Sequence, residues 1–344
     1  ILYRLVGSEM CIRDRHWVQL YRHMLQEVFL TLTLDGCNGS NSLITSLEIG
    51  TSPDAGTPIV AGLMSSLIVT GNGAYQEVLS NIDTVNNEAM IVAKNLSSVS
   101  DWAIFDTTRG PTFKTSFNSD TAQATVADGL TNFRVDGHAV GGNSLTNGSS
   151  ESYLHWTMKS KDGFFDVVKY SGTGSSQTIS HNINGQVGMI WIKNISASGD
   201  WMLWHNSFAT GEYVKLNTNE ASAVDTNIFS SSPTNTSFSV GNSSNVNASG
   251  NTYVAYIFAH NPSNQIYIGN YNGTGGSGNK QTIGFKPKFI MLKNKGTGSY
   301  HFFTDVQQSS DAWQNYVIPN DTLQQVSIST CLLYTSPSPR DGIG

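Results

Sequence analysis

The side chains best suited to chemistry in this chain are aromatic. Trp102, Trp201, Trp204 and Tyr300 recur beside short apolar runs, and ring faces of this kind stack on sugars while offering a polar edge. They are the candidate ligand-binding residues. A place in the core competes with that reading, and Trp201 and Trp204 fall on opposite faces of a strand, so at most one of them can be exposed. Asp106 and Arg109, in Asp-Thr-Thr-Arg-Gly, read as an ion pair stabilising a turn. Paired carboxylates about 5–9 Å apart could cleave a glycoside, and Asp101, Asp106, Asp120, Asp128 and Asp136 supply the number. Their counterparts about a hundred residues on are Asp200, His205 and Asn219 for the first three. Copies that keep aromatics and lose acids argue for structural acids, so no catalytic residue is assigned. His155, His205 and His301 stand singly, without the spacing of zinc ligands. Asp225 to Asn227 is a weak oxygen site for calcium. The run Gly273 to Gln281 is glycine-rich, but Asn279 separates glycine from Lys280 and strand signals follow, so it reads as a hairpin and not a phosphate loop. No Gly-x-Ser-x-Gly elbow is present. No metal and no cofactor are expected.

The elements that position these residues are repeated hairpins. Met90-Ile91-Val92-Ala93-Lys94-Asn95, Met189-Ile190-Trp191-Ile192-Lys193-Asn194 and Phe289-Ile290-Met291-Leu292-Lys293-Asn294 are three copies of one phrase. Each is followed by a turn and then by Asp101-Trp102, Asp200-Trp201 or Tyr300-His301. Six β-favouring residues fit one strand. Apolarity on both alternation faces predicts burial on both sides. Around each hairpin fall further short strands. The opening ones are Leu67 to Val69, Phe165 to Tyr170 and Ile266 to Tyr271; the closing ones are Ser152 to Trp156 and Thr252 to Phe258. About seven strands per ~100 residues predict a mainly β chain of tandem β-sandwich domains, jelly-roll or lectin-like. A solenoid or propeller has a shorter period. The expected units are 64–160, 161–260 and a truncated 261–330, arranged like beads with short, semi-rigid joins.

Composition fits this class. Only 13 % of residues are charged, 33 are glycine, and 38 % are hydrophobic, enough for cores. The net charge of −6 and the absence of a basic stripe argue against nucleic acid. No run of about 18 apolar residues exists to span a membrane. Residues 16–63 match no repeat: Trp17, Leu20, Met24 and Val28 have helical spacing, Leu30, Leu32 and Leu34 alternate, and Gly50 to Pro58 reads as a linker. Residues 1–15 and 331–344 resemble translated adaptor of a transposase-based sequencing library, in opposite orientations, and are expected to be artefact. Cys11 and Cys331 lie in those ends, which leaves Cys37 and no disulfide framework.

The succession of apolar strand, Lys-Asn, Asp-Trp and Asp106-Thr107-Thr108-Arg109-Gly110 resembles repeat domains of tailed-phage tail-fibre and tail-appendage structural proteins. The phrase from Gly241 to Tyr256, Gly-Asn-Ser-Ser-Asn-Val-Asn-Ala-Ser-Gly-Asn-Thr-Tyr-Val-Ala-Tyr, is similar to one in the same family. The resemblance covers roughly residues 67–325 and departs where His205 to Gly211 replaces the Asp-x-x-Arg-Gly phrase. It implies a non-enzymatic virion protein, made in the host cytoplasm, whose partners are other tail proteins and a host cell-surface glycan, or which acts as a spacer. Many appendages are homotrimers, although the sequence has no heptads. The rival readings are a tail polysaccharide depolymerase and a cellular lectin-like adhesin.

Overall fold

The computed structural model describes residues 62–264, 266–273, 280–285, 287, 289–296, 301–305 and 315–327, and the strands Thr31–Leu34, Ser42–Leu47 and Leu332–Thr335. Tyr300, most of the glycine-rich hairpin at 274–279, the candidate helix at 16–29 and the linker at 50–58 lie outside these residues. The fold is mainly β, with 46 % of residues in strands and 3 % in helix, arranged as antiparallel sheets in a sandwich architecture.

Each repeat is built on one large sheet. In repeat 1 its order is Met64–Thr70, Ser152–Lys159, Ala89–Asn95, Ala103–Asp106, Gly110–Thr115, Ala124–Thr125. In repeat 2 the order is Phe165–Ser171, Thr252–Ala259, Val187–Asn194, Met202–His205, Glu212–Lys215, Ala223–Val224. The closing strand therefore inserts between the opening strand and the central one. A smaller sheet covers one face: Gln76–Val78, Gly137–Val140 and Leu130–Arg134 in repeat 1, and Gln177–Ser180 with Ser237–Val240 in repeat 2.

The central strands are buried along their whole length, and their two faces meet different partners. Ala89, Ile91 and Ala93 form a local core with Ala103, Phe105 and Leu130, inside the sandwich of repeat 1. Met90 and Val92 point the other way and join Trp102, Ile104 and Trp156 in a core that also holds Met189, Trp191 and Trp201 of repeat 2 and Phe289, Met291 and Val317 of repeat 3. Methionines from all three repeats (Met64, Met90, Met158, Met189 and Met291) surround a central cavity of about 20 Å³. Flexible thioethers fill such an irregular centre well. The expectation of beads is thus corrected: the repeats share one core, because the second apolar face of each central strand needs a neighbour to cover it.

Repeat 3 is closed by a strand from the other end of the chain. Its sheet runs Ile266–Tyr271, Ser42–Leu47, Phe289–Asn294, His301–Asp305, with Ser42–Leu47 antiparallel to both neighbours. Part of the segment that matched no repeat in sequence is therefore a sheet strand. Thr31–Leu34 pairs with Lys280–Thr282 on one side and with Leu332–Thr335 on the other.

The phrase before the closing strands of repeats 1 and 2 is a polar plug. Asn247 is fully buried; its Nδ2 donates to the carbonyls of Ser175 and Gly241, both at 2.6 Å, and its Oδ1 accepts from Thr173 N at 2.8 Å. Asn147 repeats this with Ala74 O at 2.6 Å, Gly141 O at 2.9 Å and Asn72 N at 2.9 Å. The adjacent chain passes so close that a Cβ on Gly71 or Gly172 would lie 2.1 Å from the carbonyl oxygen of Gly148 or Ala248, a contact that only glycine avoids.

Candidate functional site

The repeated Lys-Asn and Asp-Trp phrases meet at the seams between repeats. Lys193 Nζ donates to Gly199 O at 2.7 Å in its own turn and to Asp120 O of repeat 1 at 2.8 Å. Lys94 Nζ likewise donates to Ser100 O at 2.7 Å and to Thr322 O of repeat 3 at 3.1 Å. The two lysines link repeat 2 to repeat 1 and repeat 1 to repeat 3. Burial lowers the pKa of Lys94, Lys193 and Lys293 to about 8, although acidic neighbours of the first two oppose the shift. A lowered lysine pKa often marks a catalytic amine. These three are sealed from solvent; Lys94 and Lys193 act as clamps between repeats, while Lys293 donates to Asn294 O of its own strand at 2.9 Å. The following asparagines cap the turn: Asn95 Oδ1 accepts from Ser97 N and Ser98 N at 2.8 and 2.9 Å, and Asn194 Oδ1 from Ser196 N and Ala197 N at 3.0 Å each.

The tryptophans do the same work. Trp201 Nε1 donates to Ser116 O of repeat 1 at 2.8 Å, and Trp102 Nε1 to Ile318 O of repeat 3 at 3.0 Å. Phe117 stands between both rings, 5.4 Å from each centroid. Trp102 and Trp201 are 0 % exposed and Trp204 is 5 % exposed. The ligand-binding role expected for them is corrected, since rings this enclosed offer no face to a sugar. Trp204 takes the place that Phe105 holds inside its own sandwich.

The aspartates of these phrases are held as structural groups. Asp101 accepts from Asn118 Nδ2 at 2.7 Å and lies 3.8 Å from Lys114, while Asp200 accepts from Asn217 Nδ2 at 2.8 Å and lies 3.0 Å from Lys215. The same asparagines take the backbone N–H of Trp102 and Trp201. Asp225 closes its own turn through Asn227 N at 2.8 Å. Among the described residues no three His, Cys, Asp or Glu side chains gather as metal ligands.

Asp106 and Arg109 form a buried ion pair across their turn. Thr108 Oγ1 donates to Asp106 Oδ1 at 2.6 Å, and Tyr256 of repeat 2 donates its hydroxyl to Asp106 Oδ2 at 2.7 Å. Arg109 Nη2 donates to Ile104 O at 3.1 Å and to the Tyr256 hydroxyl at 3.2 Å. Burial pushes the Asp106 carboxyl up, but the Arg109 charge and the donated hydrogen bonds outweigh it and hold the pKa below the ordinary value.

Above this pair a groove of about 460 Å³ opens between repeats 1 and 2. Arg109, Phe113 and Gln123 line one wall; Lys169, Tyr170, Ser171, Ile195, Ser196 and Thr252 line the other. Arg109 Nη1 and Gln123 Oε1 are buried and have no hydrogen-bond partner among the described residues, one a donor and one an acceptor. Lys169 is exposed and donates to Thr108 O at 2.9 Å. Tyr170 fixes its hydroxyl on Val246 O at 2.8 Å and stacks on Tyr253. This cleft combines ring edges, hydroxyls, an amide and a cation, and it is the candidate binding site. Sequence reasoning missed it because its walls come from different repeats and Gln123 and Ser196 belong to no motif.

A domain family of unknown function, DUF7483, matches residues 61–335. The chain belongs to this family. The match runs through all three repeats, in keeping with a single shared core. No curated protein and no solved structure matches the chain.

Proposed function

We propose that this DUF7483 chain is a non-enzymatic structural protein of a tailed-phage virion, part of a tail fibre or tail appendage, and that it contacts host surface glycans through the groove between repeats 1 and 2. The observation that carries the glycan reading is the open cleft between the repeats, where Phe113 and Tyr170 stand beside the exposed Lys169 and the hydroxyls of Ser171, Ser196 and Thr252. Sugars are held by such a mix of ring faces and convergent hydrogen-bonding groups. The likeness of the repeat phrases to tail-appendage domains supports the virion setting, and the shared core supports a stiff body able to bear load.

The test is adsorption of the labelled chain to candidate host cells, with reducing-sugar release followed in the same tube. Adsorption without sugar release supports a receptor-contacting appendage. Sugar release favours the depolymerase reading and directs attention to the less constrained Asp120 and Asp128. Folded protein that neither adsorbs nor releases sugar is a spacer.

A further inference from the structure

Two seams of this molecule are built alike and filled differently. Gln123 N donates to Ile195 O across the seam of repeats 1 and 2, and Ser222 N donates to Lys295 O across the seam of repeats 2 and 3. Ile195 and Lys295 each follow the Lys-Asn phrase of their repeat. The facing strands match as well, with Phe113 opposite Thr125 and Glu212 opposite Val224. Arg109 and Phe208 hold the same place in the turn, three residues after Asp106 and His205.

In the seam of repeats 2 and 3 the chain fills this place itself. Lys295 Nζ lies 2.6 Å from Glu212 Oε1 and 4.9 Å from the centre of the Phe208 ring. Both charged side chains are nearly enclosed, at 13 % and 12 % exposure. In the seam of repeats 1 and 2, Ile195 stands in place of the lysine and Phe113 in place of the acid, while Arg109 turns onto the buried Asp106. The groove opens there. The exchange also changes the charge of the seam. No Asp or Glu is among the described residues that line the groove, and the exposed Lys169 stands where repeat 3 has Asn270. Lys169 gives one hydrogen bond to Thr108 O, and an ammonium group has two further donors to offer.

We propose that the ligand of this groove is an acidic glycan, whose carboxylate or sulfate meets Lys169 while its sugar ring lies against Phe113 and Tyr170. The inference rests on the groove being the glycan contact, and it names the class of sugar. Both rings are half-buried, and an aromatic wall beside a cation suits a sugar that carries an anionic group. Asp106 does not oppose such a ligand, because Arg109 already matches its charge. The net charge of −6 repels polyanions from the molecule as a whole, so attraction to one requires a local site.

Three labelled oligosaccharides of equal length test this with the full chain: an oligouronate, a sulfated dextran and plain dextran. The expected result is saturable binding of the uronate or the sulfated sugar, at least tenfold tighter than dextran and weakened by added salt. Which of the two binds tells carboxylate from sulfate. Lys169→Glu should weaken that binding at least tenfold. Lys161→Glu, the same change of charge at an exposed residue outside the groove lining, should leave it as in the parent. The pair Phe113→Glu/Ile195→Lys rebuilds the filled seam of repeats 2 and 3 inside the groove and should abolish binding. Dextran bound as tightly as the acidic sugars, and lost in the rebuilt seam, overturns the inference and leaves the groove as a glycan contact. Equal loss with Lys161→Glu overturns it as general charge attraction. Binding of none of the three overturns it too, and adsorption of the Lys169→Ala/Gln123→Ala chain to host cells then decides separately whether the groove is the contact surface.

Discussion

Trp201 of the second repeat donates its indole N–H to the backbone carbonyl of Ser116 in the first, 2.8 Å away. The bond crosses a seam that reads in the sequence as a join between separate domains. Trp201→Phe keeps much of the ring but leaves that carbonyl only the longer bond from Ser119 N at 3.4 Å, which costs about 0.5–1.5 kcal/mol. Trp201→Ala adds a cavity at the junction with Phe117 and Trp102, for a loss of about 3–5 kcal/mol. Urea unfolding followed by fluorescence and circular dichroism should show one coincident transition for wild type and variants, displaced to lower denaturant. Independent transitions for the repeats would refute the shared core.

Much of this was legible in the sequence. The Lys-Asn phrases located the three central strands, and their apolarity on both faces foretold burial on both sides. What covers the second face was not legible, because local pattern shows that a face is apolar without naming its partner. Trp102 and Trp201 kept both a core and a binding reading for the same reason. An aromatic with a polar edge suits a sugar site or a seam where its N–H meets a carbonyl, and only the three-dimensional arrangement separates the two. Ser42–Leu47 escaped notice because it lacks the tyrosine and ring that mark the other closing strands.

The Asp106–Arg109 pair ties repeat 1 to repeat 2 through Tyr256. Asp106→Asn leaves the Arg109 charge buried without its counter-charge and should cost about 3–5 kcal/mol. Tyr256→Phe removes one hydroxyl from the network and should cost about 1.5–3 kcal/mol, the range for hydrogen bonds to charged groups. In the double variant the losses should be less than additive, as expected for groups in one network. A double-mutant cycle by chemical denaturation measures this, and strict additivity would show that Tyr256 acts on its own.

His138 and His155 make a buried pair, Nε2 to Nδ1 at 3.1 Å, between the two sheets of repeat 1. Burial, with the second ring adding to it, drives His138 well below its ordinary pKa, and burial lowers His155 to about 4. Both are therefore neutral in the folded chain, while the unfolded chain protonates them near pH 6.5. Stability is at its full value above that pH and declines as pH falls toward about 4, by up to ~1.4 kcal/mol per pH unit for each ring. Repeat 2 has Phe238 and Ala255 at these positions. The variant His138→Phe/His155→Ala should flatten the decline between pH 6.5 and 4.5. Thermal melts across that range decide it; an unchanged slope would place the acid sensitivity elsewhere, in His181 or His260, which burial also lowers.

If the groove between repeats 1 and 2 holds the glycan, its rim residues should matter for adsorption and little for folding. Lys169 is exposed and Gln123 half-buried, so changing both to alanine removes groove contacts without opening the core. Changes at such positions usually stay near 0.5 kcal/mol each, and the melting temperature should move by no more than a few degrees. Adsorption to host cells should fall at least tenfold. Tyr75, 55 % exposed and outside the groove lining, is the control: Tyr75→Ala should adsorb like the parent. Full adsorption by the Lys169→Ala/Gln123→Ala chain would remove the groove from the contact surface. Loss of adsorption in the Tyr75→Ala chain instead would move that surface to the turn joining Met64–Thr70 and Gln76–Val78.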